Sequence, residues 1–414
     1  MRRRPFDTFL LFLMTGILII QMVYQVVNIG RQTGYDAAYY DYNESGLLVS
    51  LSSGLLFAVG ALFAVSRLME IFKTKTRFIL LTFLYVAFVC LMSLLAYPYG
   101  IKIFAKAIIN PAVGPLMLVV FYLLGKENPS DEKYIKFMYL LVPFVLIVPF
   151  SFLYRQYITY SVNMKFAYAY YAMYALPIIL LLKHRTFRLL MVLFCITFMV
   201  FASKRTGIVA ILFSAYLFFF VQNIFIEQRN KTIHMLFLPI FVAISVGIVV
   251  YINMRTEGFL SRLFDFNTIS ETNMNGRTDL WKAAIGAFAK ASPLGKIFGQ
   301  GAYVFSLGEM DMIGFAHNDF LSTLVYYGII GFSLLALSIA MLAKRCFELI
   351  RKRSQYAAAL AAGSSILFLC MNFSIVYYMP SVTMFVFGAI GYILGLAENE
   401  QQMPRLQPYP FNVR

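Results

Sequence analysis

Apolar stretches of roughly 17 residues or more recur along almost the whole chain, and at 1.5 Å per residue such a stretch crosses most of a hydrocarbon core about 30 Å thick. Twelve are read: 9–27, 47–65, 78–97, 107–124, 137–154, 167–182, 189–202, 207–226, 235–252, 319–342, 356–378 and 381–397. Lipid offers no partners for backbone N–H and C=O groups, so each segment must close its own hydrogen bonds as a helix. The expected fold is all-α, a polytopic transmembrane helix bundle of about 12 spans forming one integral membrane domain over 1–414. Composition points the same way: 61% of the 414 residues are hydrophobic and 13% charged, which excludes a water-soluble enzyme. The stretch after Arg2-Arg3-Arg4-Pro5 is longer than a signal-peptide core and has no small-residue cleavage site before Asn28, so it reads as a retained first helix.

The formal net charge is +16. In so apolar a chain the excess marks loops facing the cytoplasm, not a nucleic-acid surface. With the amino terminus inside, most Lys and Arg fall on that side, among them Arg67, Lys73, Arg77, Lys126, Lys133, Lys183, Arg185, Arg229, Lys344, Arg345 and Arg351-Lys352-Arg353. Both termini are then cytoplasmic, with 398–414 a polar, loosely ordered tail. Residues 253–318 become one long extracytoplasmic loop between the ninth and tenth spans. Prolines 111, 115, 143, 149, 177 and 239 fall inside expected helices, where neighbouring helices re-satisfy the carbonyls they free. The four cysteines show no metal-ligand or disulfide spacing.

Chemistry has few places to sit. His184 and His234 belong to cytoplasmic helix ends, which leaves His317 as the outer histidine, just before the tenth span in Phe315-Ala316-His317-Asn318-Asp319. Asn318 or Asp319 caps that helix and sets His317 beside its positive end, a place that suits a neutral base near an anion. A plain interfacial hydrogen-bond donor is the other reading. The seventh span reaches only about 21 Å before Ser203-Lys204-Arg205-Thr206-Gly207, so Lys204 and Arg205 are recessed cations facing an anionic ligand, unless they snorkel to headgroups. In the long loop, Thr278 caps a helix running to Lys290 before Ser292-Pro293. Its face of Leu280, Trp281, Ala284, Ile285 and Phe288 makes it either an amphipathic element on the outer leaflet or a loop helix on the bundle, with Arg277 at its start. Gly299-Gln300-Gly301 reads as a turn. Arg205, Arg277 and His317 thus share one face of the membrane. Two guanidiniums hold a pyrophosphate and an imidazole deprotonates a hydroxyl, as sugar transfer from a lipid pyrophosphate requires.

Ser203-Lys204-Arg205-Thr206, Gly276-Arg277 with Trp281, and His317-Asn318 followed by Gly328 and Gly331 together resemble the bacterial O-antigen ligase and O-antigen polymerase (Wzy-type) superfamily over about residues 190–345. The resemblance implies a glycosyltransferase of the bacterial inner membrane with an extracytoplasmic site. It uses a glycan on undecaprenyl pyrophosphate, without cofactor or catalytic metal, and works with a flippase and a chain-length regulator of the same pathway. It makes Arg205, Arg277 and Lys204 the pyrophosphate-binding residues, His317 the base and Asn318 its support, with Gly328 and Gly331 allowing close helix packing. The wording of the motifs favours a polymerase, acting on a lipid-linked repeat unit, over a ligase, acting on lipid A-core. A flippase or other carrier is the competing class; carriers place ionisable groups within their spans, whereas these spans are expected to bury no acidic side chain.

Overall fold

The computed structural model describes residues 47–74, 76–94, 101–127, 170–182, 184–201, 205–227, 277–301, 318–373 and 380–402, with scattered positions in the first span and near 142–147. Among the described residues every regular element is a helix: α1 (Leu47–Ser66), α2 (Leu68–Phe72), α3 (Arg77–Ser93), α4 (Ile101–Glu127), α5 (Tyr170–Ile179), α6 (Arg185–Phe201), α7 (Arg205–Phe220), α8 (Arg277–Lys290), α9 (Pro293–Phe298), α10 (Asp319–Arg351), α11 (Ala357–Phe373) and α12 (Pro380–Gln402). A wider π turn, Val221–Ile226, continues α7. Among the described residues three segments are long and apolar enough to cross a membrane: Ala107–Glu127, Thr206–Ile226 and Asp319–Arg351. The expected spans 137–154 and 235–252 lie almost wholly outside the described residues.

Helices α4 and α12 form the tightest pair, and the cause is a row of small residues. A side chain at Gly391 would strike the carbonyl of Leu118, one at Gly395 the carbonyl of Tyr122, and one at Gly125 the carbonyl of Tyr392 at 2.6 Å. Backbones approach this closely only where no Cβ intervenes, the usual way helices pack where burial of apolar surface gives no drive. The core around this pair is built from Leu116–Leu124 and Phe385–Ala397, nearly all buried.

Proline inside α4 is accommodated as its chemistry requires. Pro111 has no N–H to donate to Ala107, and the freed carbonyl accepts from Ser93 Oγ on α3 at 3.0 Å and, at a long 3.5 Å, from Tyr327 Oη on α10. Both donors come from neighbouring helices.

Several helix ends run on past the expected boundaries. The tenth span was expected to stop at 342 with Lys344 and Arg345 beyond it, yet α10 continues to Arg351; Arg345 donates to Glu348 at 3.0 Å, one turn further on. The last span was expected to end at 397 before a loose tail, yet α12 runs to Gln402 and Glu398 is buried. Glu398 is held by Thr76 Oγ1 at 2.6 Å, by Tyr122 and by Lys126 at 3.1 Å. Near it Arg67 pairs with Glu70 at 3.1 Å and with Glu127, and Ser354 donates to Glu400. The ends of α1, α4, α10 and α12 and the starts of α3 and α11 therefore meet in one ion-paired layer.

Candidate functional site

At the opposite end of the bundle α7 and α10 begin, at Arg205 and Asp319. Asn318 is the N-cap of α10, its side chain accepting from the amide of Leu321 at 3.0 Å in extended backbone. Of the two capping candidates the sequence offered, Asn318 is the one used. Its amide nitrogen also donates to the carbonyl of Asn372 at 3.2 Å, which ties the start of α10 to the end of α11.

The residue after the cap was misjudged. Asp319 is fully buried, so an acidic side chain does lie inside the tenth span. It sits in the first turn, where the positive end of the helix favours a carboxylate. Cys370, near the end of α11, donates from Sγ to Met173 Sδ on α5 at 3.8 Å, next to Tyr174. Tyr174 stacks on Tyr170 with ring centroids 6.2 Å apart, and Tyr170 lies against the first turn of α7, 3.4 Å from where a side chain at Gly207 would stand. Lower down, Ser214 of α7 and Ser365 of α11 share a hydrogen bond of 2.7 Å. Residues far apart in sequence thus connect the first turn of α7 to the start of α10 through Tyr170 and Met173 on α5, Cys370 on α11 and the Asn318–Asn372 bond. Sequence reading missed this bridge because its members look like ordinary span residues.

The third motif is positioned by a break in α10. Gly328 has φ 62 and ψ −165, which interrupts the helix between Tyr327 and Ile329. Only glycine adopts that conformation without strain. The gap is filled by the loop before it: the amide of Gly301 donates at 2.9 Å to the carbonyl of Tyr326. Gly299, at φ 88, lies so close that a Cβ there would strike Tyr326, and one at Gly328 would stand 2.5 Å from Ile297 O and Gly299 N. Gly299-Gln300-Gly301 is a turn, as read, and also the piece that seats α9 on α10. Gly328 therefore makes a break in α10 and also allows the close packing expected of it, against Ile297 of α9. Gly331 keeps its packing role, with Tyr327 and Phe88 against it.

Upstream, Thr278 is not the cap of α8, because the helix already starts at Arg277. Ser292-Pro293 ends one helix and begins another: Ser292 Oγ accepts from Gly295 N at 3.1 Å and Pro293 opens α9, where its missing N–H costs nothing. Helix α8 packs on α10; Ala284 is buried, Trp281 and Phe288 rest on the core, and Ile285 faces outward. Of the two readings of this helix, packing on the bundle describes those three residues.

The backbones of Arg205 and Arg277 each stand at the first position of a helix. Lys204 and His317 lie outside the described residues, as do the side chains of both arginines. His184 is exposed, at the start of α6. Among the described residues no group of three His, Cys, Asp or Glu side chains is placed to hold a metal ion.

Residues 190–336 match the family model described as O-antigen ligase. This region runs from α6 through the first half of α10 and contains Arg205, Arg277 and the His317-Asn318 pair. This match supports the O-antigen ligase and polymerase superfamily. Members of this family are membrane glycosyltransferase-like enzymes, and the apolar helices likewise mark a membrane protein. No curated protein matches the chain.

Proposed function

We propose that the chain is a metal-independent membrane glycosyltransferase that polymerises an O-antigen or exopolysaccharide. It moves a glycan from undecaprenyl pyrophosphate to a lipid-linked repeat unit at the outer face of the bacterial inner membrane. The observation that carries this reading is the link between the amino ends of α7 and α10, both inside the matched region, through Tyr170 and Met173 on α5, Cys370 on α11 and the Asn318–Asn372 bond. Two helix amino ends directed to one place create positive potential where a pyrophosphate would lie. No acidic residue occurs between Lys183 and Glu227 to neutralise Lys204 and Arg205 from within their own segment.

In the reaction the acceptor hydroxyl oxygen attacks the anomeric carbon while His317 takes its proton. The bond from that carbon to the pyrophosphate oxygen breaks, and the lipid pyrophosphate leaves with the bonding electrons, its charge met by Arg205, Arg277 and Lys204. Asn318, capping α10 and tied to Asn372, supports His317 next to it. The topology that fits is about 12 spans with both termini cytoplasmic and 253–318 outside. A chain-length regulator and a flippase of the pathway would be its partners. A ligase transferring the finished glycan to lipid A-core is the second reading, favoured by the description of the matching family itself.

Deletion of the gene followed by a polysaccharide ladder gel separates these. Caps of one repeat unit indicate the polymerase; bare core with long lipid-linked chains indicates the ligase; an unchanged ladder removes both. Complementation with Arg205→Lys or Arg277→Lys, at normal protein level, should lower activity about 10- to 100-fold. The planar fork is lost while the charge stays, and a hydrogen bond to a charged group is worth about 1.5–3 kcal/mol. Full complementation by both would leave only a general electrostatic role for these arginines.

A further inference from the structure

The turn from α10 to α11 closes in the pattern that normally calls for glycine. The amide of Ser354 donates to Leu349 O at 3.0 Å and that of Arg353 to Ile350 O at 3.0 Å, the paired bonds of a Schellman motif. The residue that turns left-handed in this motif is Arg353, at φ 56, and among the described residues it is the one non-glycine with positive φ. A Cβ is strained there and glycine would not be. The chain keeps a large cation at a position where its backbone disfavours one, and strain of this kind points to a use for the side chain.

The surroundings say what use. Arg351, Lys352 and Arg353 are all exposed, and with Glu348 they line a cleft at this corner of the bundle. Glu348 is engaged by Arg345 at 3.0 Å, so the lining is net positive. The corner is held in place from α12: Lys352 Nζ donates to Gln401 at 3.1 Å, Ser354 Oγ donates to Glu400, and the amide of Gln355 donates to Glu400 at 3.3 Å. One turn back along α10, Phe347 is 72% exposed and stands four residues before Arg351, on the same face. An apolar ring therefore precedes a cluster of cations at the end of a helix long and apolar enough to cross a membrane.

We propose that this cleft binds the phosphate headgroup of an anionic phospholipid, with an acyl chain lying along α10 past Phe347. Cations clustered where a spanning helix ends attract anionic headgroups, and the left-handed turn brings a third cation to the two that the helix end supplies. Phe347 selects a lipid over a soluble phosphate, since only a molecule with an apolar tail gains by covering it. The site lies at the ion-paired end, and it stands whether or not the sugar-transfer reading holds.

The test uses the full chain purified in detergent and follows its thermal unfolding midpoint. The probes are dioleoylphosphatidylglycerol, dioleoylphosphatidylcholine and inorganic phosphate. Phosphatidylglycerol should raise the midpoint by several degrees, with phosphatidylcholine and phosphate having little effect. In the double variant R351Q/K352Q that shift should fall by more than half. In the variant R353G the response to phosphatidylglycerol should shrink as well. An undiminished response in both variants, an equal response to phosphate, or no response in the native chain would each overturn the proposal.

Discussion

The two ends of the bundle use charge in opposite ways. At one end cations and carboxylates are matched by contact: Arg67 is buried between Glu70 and Glu127 with its guanidinium 5.4 Å from the Phe63 ring centre, and Lys126 meets Glu398 at 3.1 Å. At the other end helices α7 and α10 begin, and the carboxylate in view, Asp319, is buried just after the cap. A layer neutralised from within fixes helix ends relative to one another. Away from the exposed Arg351-Lys352-Arg353 corner it has little field left for a ligand. Helix amino ends with arginines at their start keep their positive potential for something that arrives from outside. The difference predicts that substitutions at the second end change turnover, and that those at the first change stability.

The largest effect should come from His317, because proton transfer is the step no other residue of the proposed site replaces. His317→Ala and His317→Gln should both lose about 10²- to 10⁴-fold in rate, with donor binding and protein level kept. Glutamine matches the reach of the imidazole but does not take a proton at neutral pH. The native rate should also fall as pH drops through the histidine range, near about 6.5, since an imidazolium is no base. Purified protein with synthetic lipid-pyrophosphate donor and acceptor gives both measurements. A His317→Gln enzyme with native turnover and native pH profile would make this end electrostatic only.

Second in size is the glycine junction, which connects the two behaviours. Gly328→Ala places a Cβ against the Ile297 carbonyl and the Gly299 amide and requires the left-handed region, at a cost of at least about 1–2 kcal/mol. The relief open to the chain is to unseat Gly299-Gln300-Gly301, and α9 with it. Turnover should fall, and protease cleavage between α9 and α10 should quicken, before the whole bundle loses its helical signal. Gly286→Ala, in α8 with open space around it, is the control and should change neither. If Gly328→Ala melted the whole bundle in one step, the junction would belong to the architecture, like the ion-paired layer.

These contrasts also show where the sequence was legible. Helix positions follow from apolar runs because lipid leaves the backbone no alternative, so α1, α3, α4, α7, α10, α11 and α12 fall on expected spans. Ends were less legible. Hydropathy drops at Lys344-Arg345 and at Glu398, but the helices continue, with Glu348 accepting from Arg345 and Thr76 and Tyr122 donating to Glu398, and such partners are visible only in three dimensions. Asn318 could be read as a cap from its place before an apolar run. Gly328 could be read as a necessary glycine, but the reason for it, a turn some thirty residues earlier in the chain docking into a broken helix, could not. The link from Tyr170 and Met173 to Cys370 leaves no local mark at all, since each member is compatible with an ordinary span.

The smallest effect, and the cleanest check on the paired end, concerns Glu398. Burial alone would raise its pKa, but hydrogen bonds from Thr76 and Tyr122 and the Lys126 ammonium outweigh that and hold it below the usual carboxylate value. A carboxyl whose folded-state pKa is depressed stabilises the fold fully above its unfolded value, near about 4.3, and that contribution is lost as pH falls through the lower folded value. The thermal midpoint of the native chain should therefore drop on acidification below about pH 4.3, and part of that drop should vanish in Glu398→Gln. At neutral pH the glutamine variant should be less stable by about 1–3 kcal/mol, because it keeps some of the hydrogen bonds but leaves Lys126 without its counter-charge. Its turnover in detergent at a temperature well below the midpoint should match the native value. A Glu398→Gln protein with native stability but reduced turnover would join the two ends into one functional unit and undo the division between them.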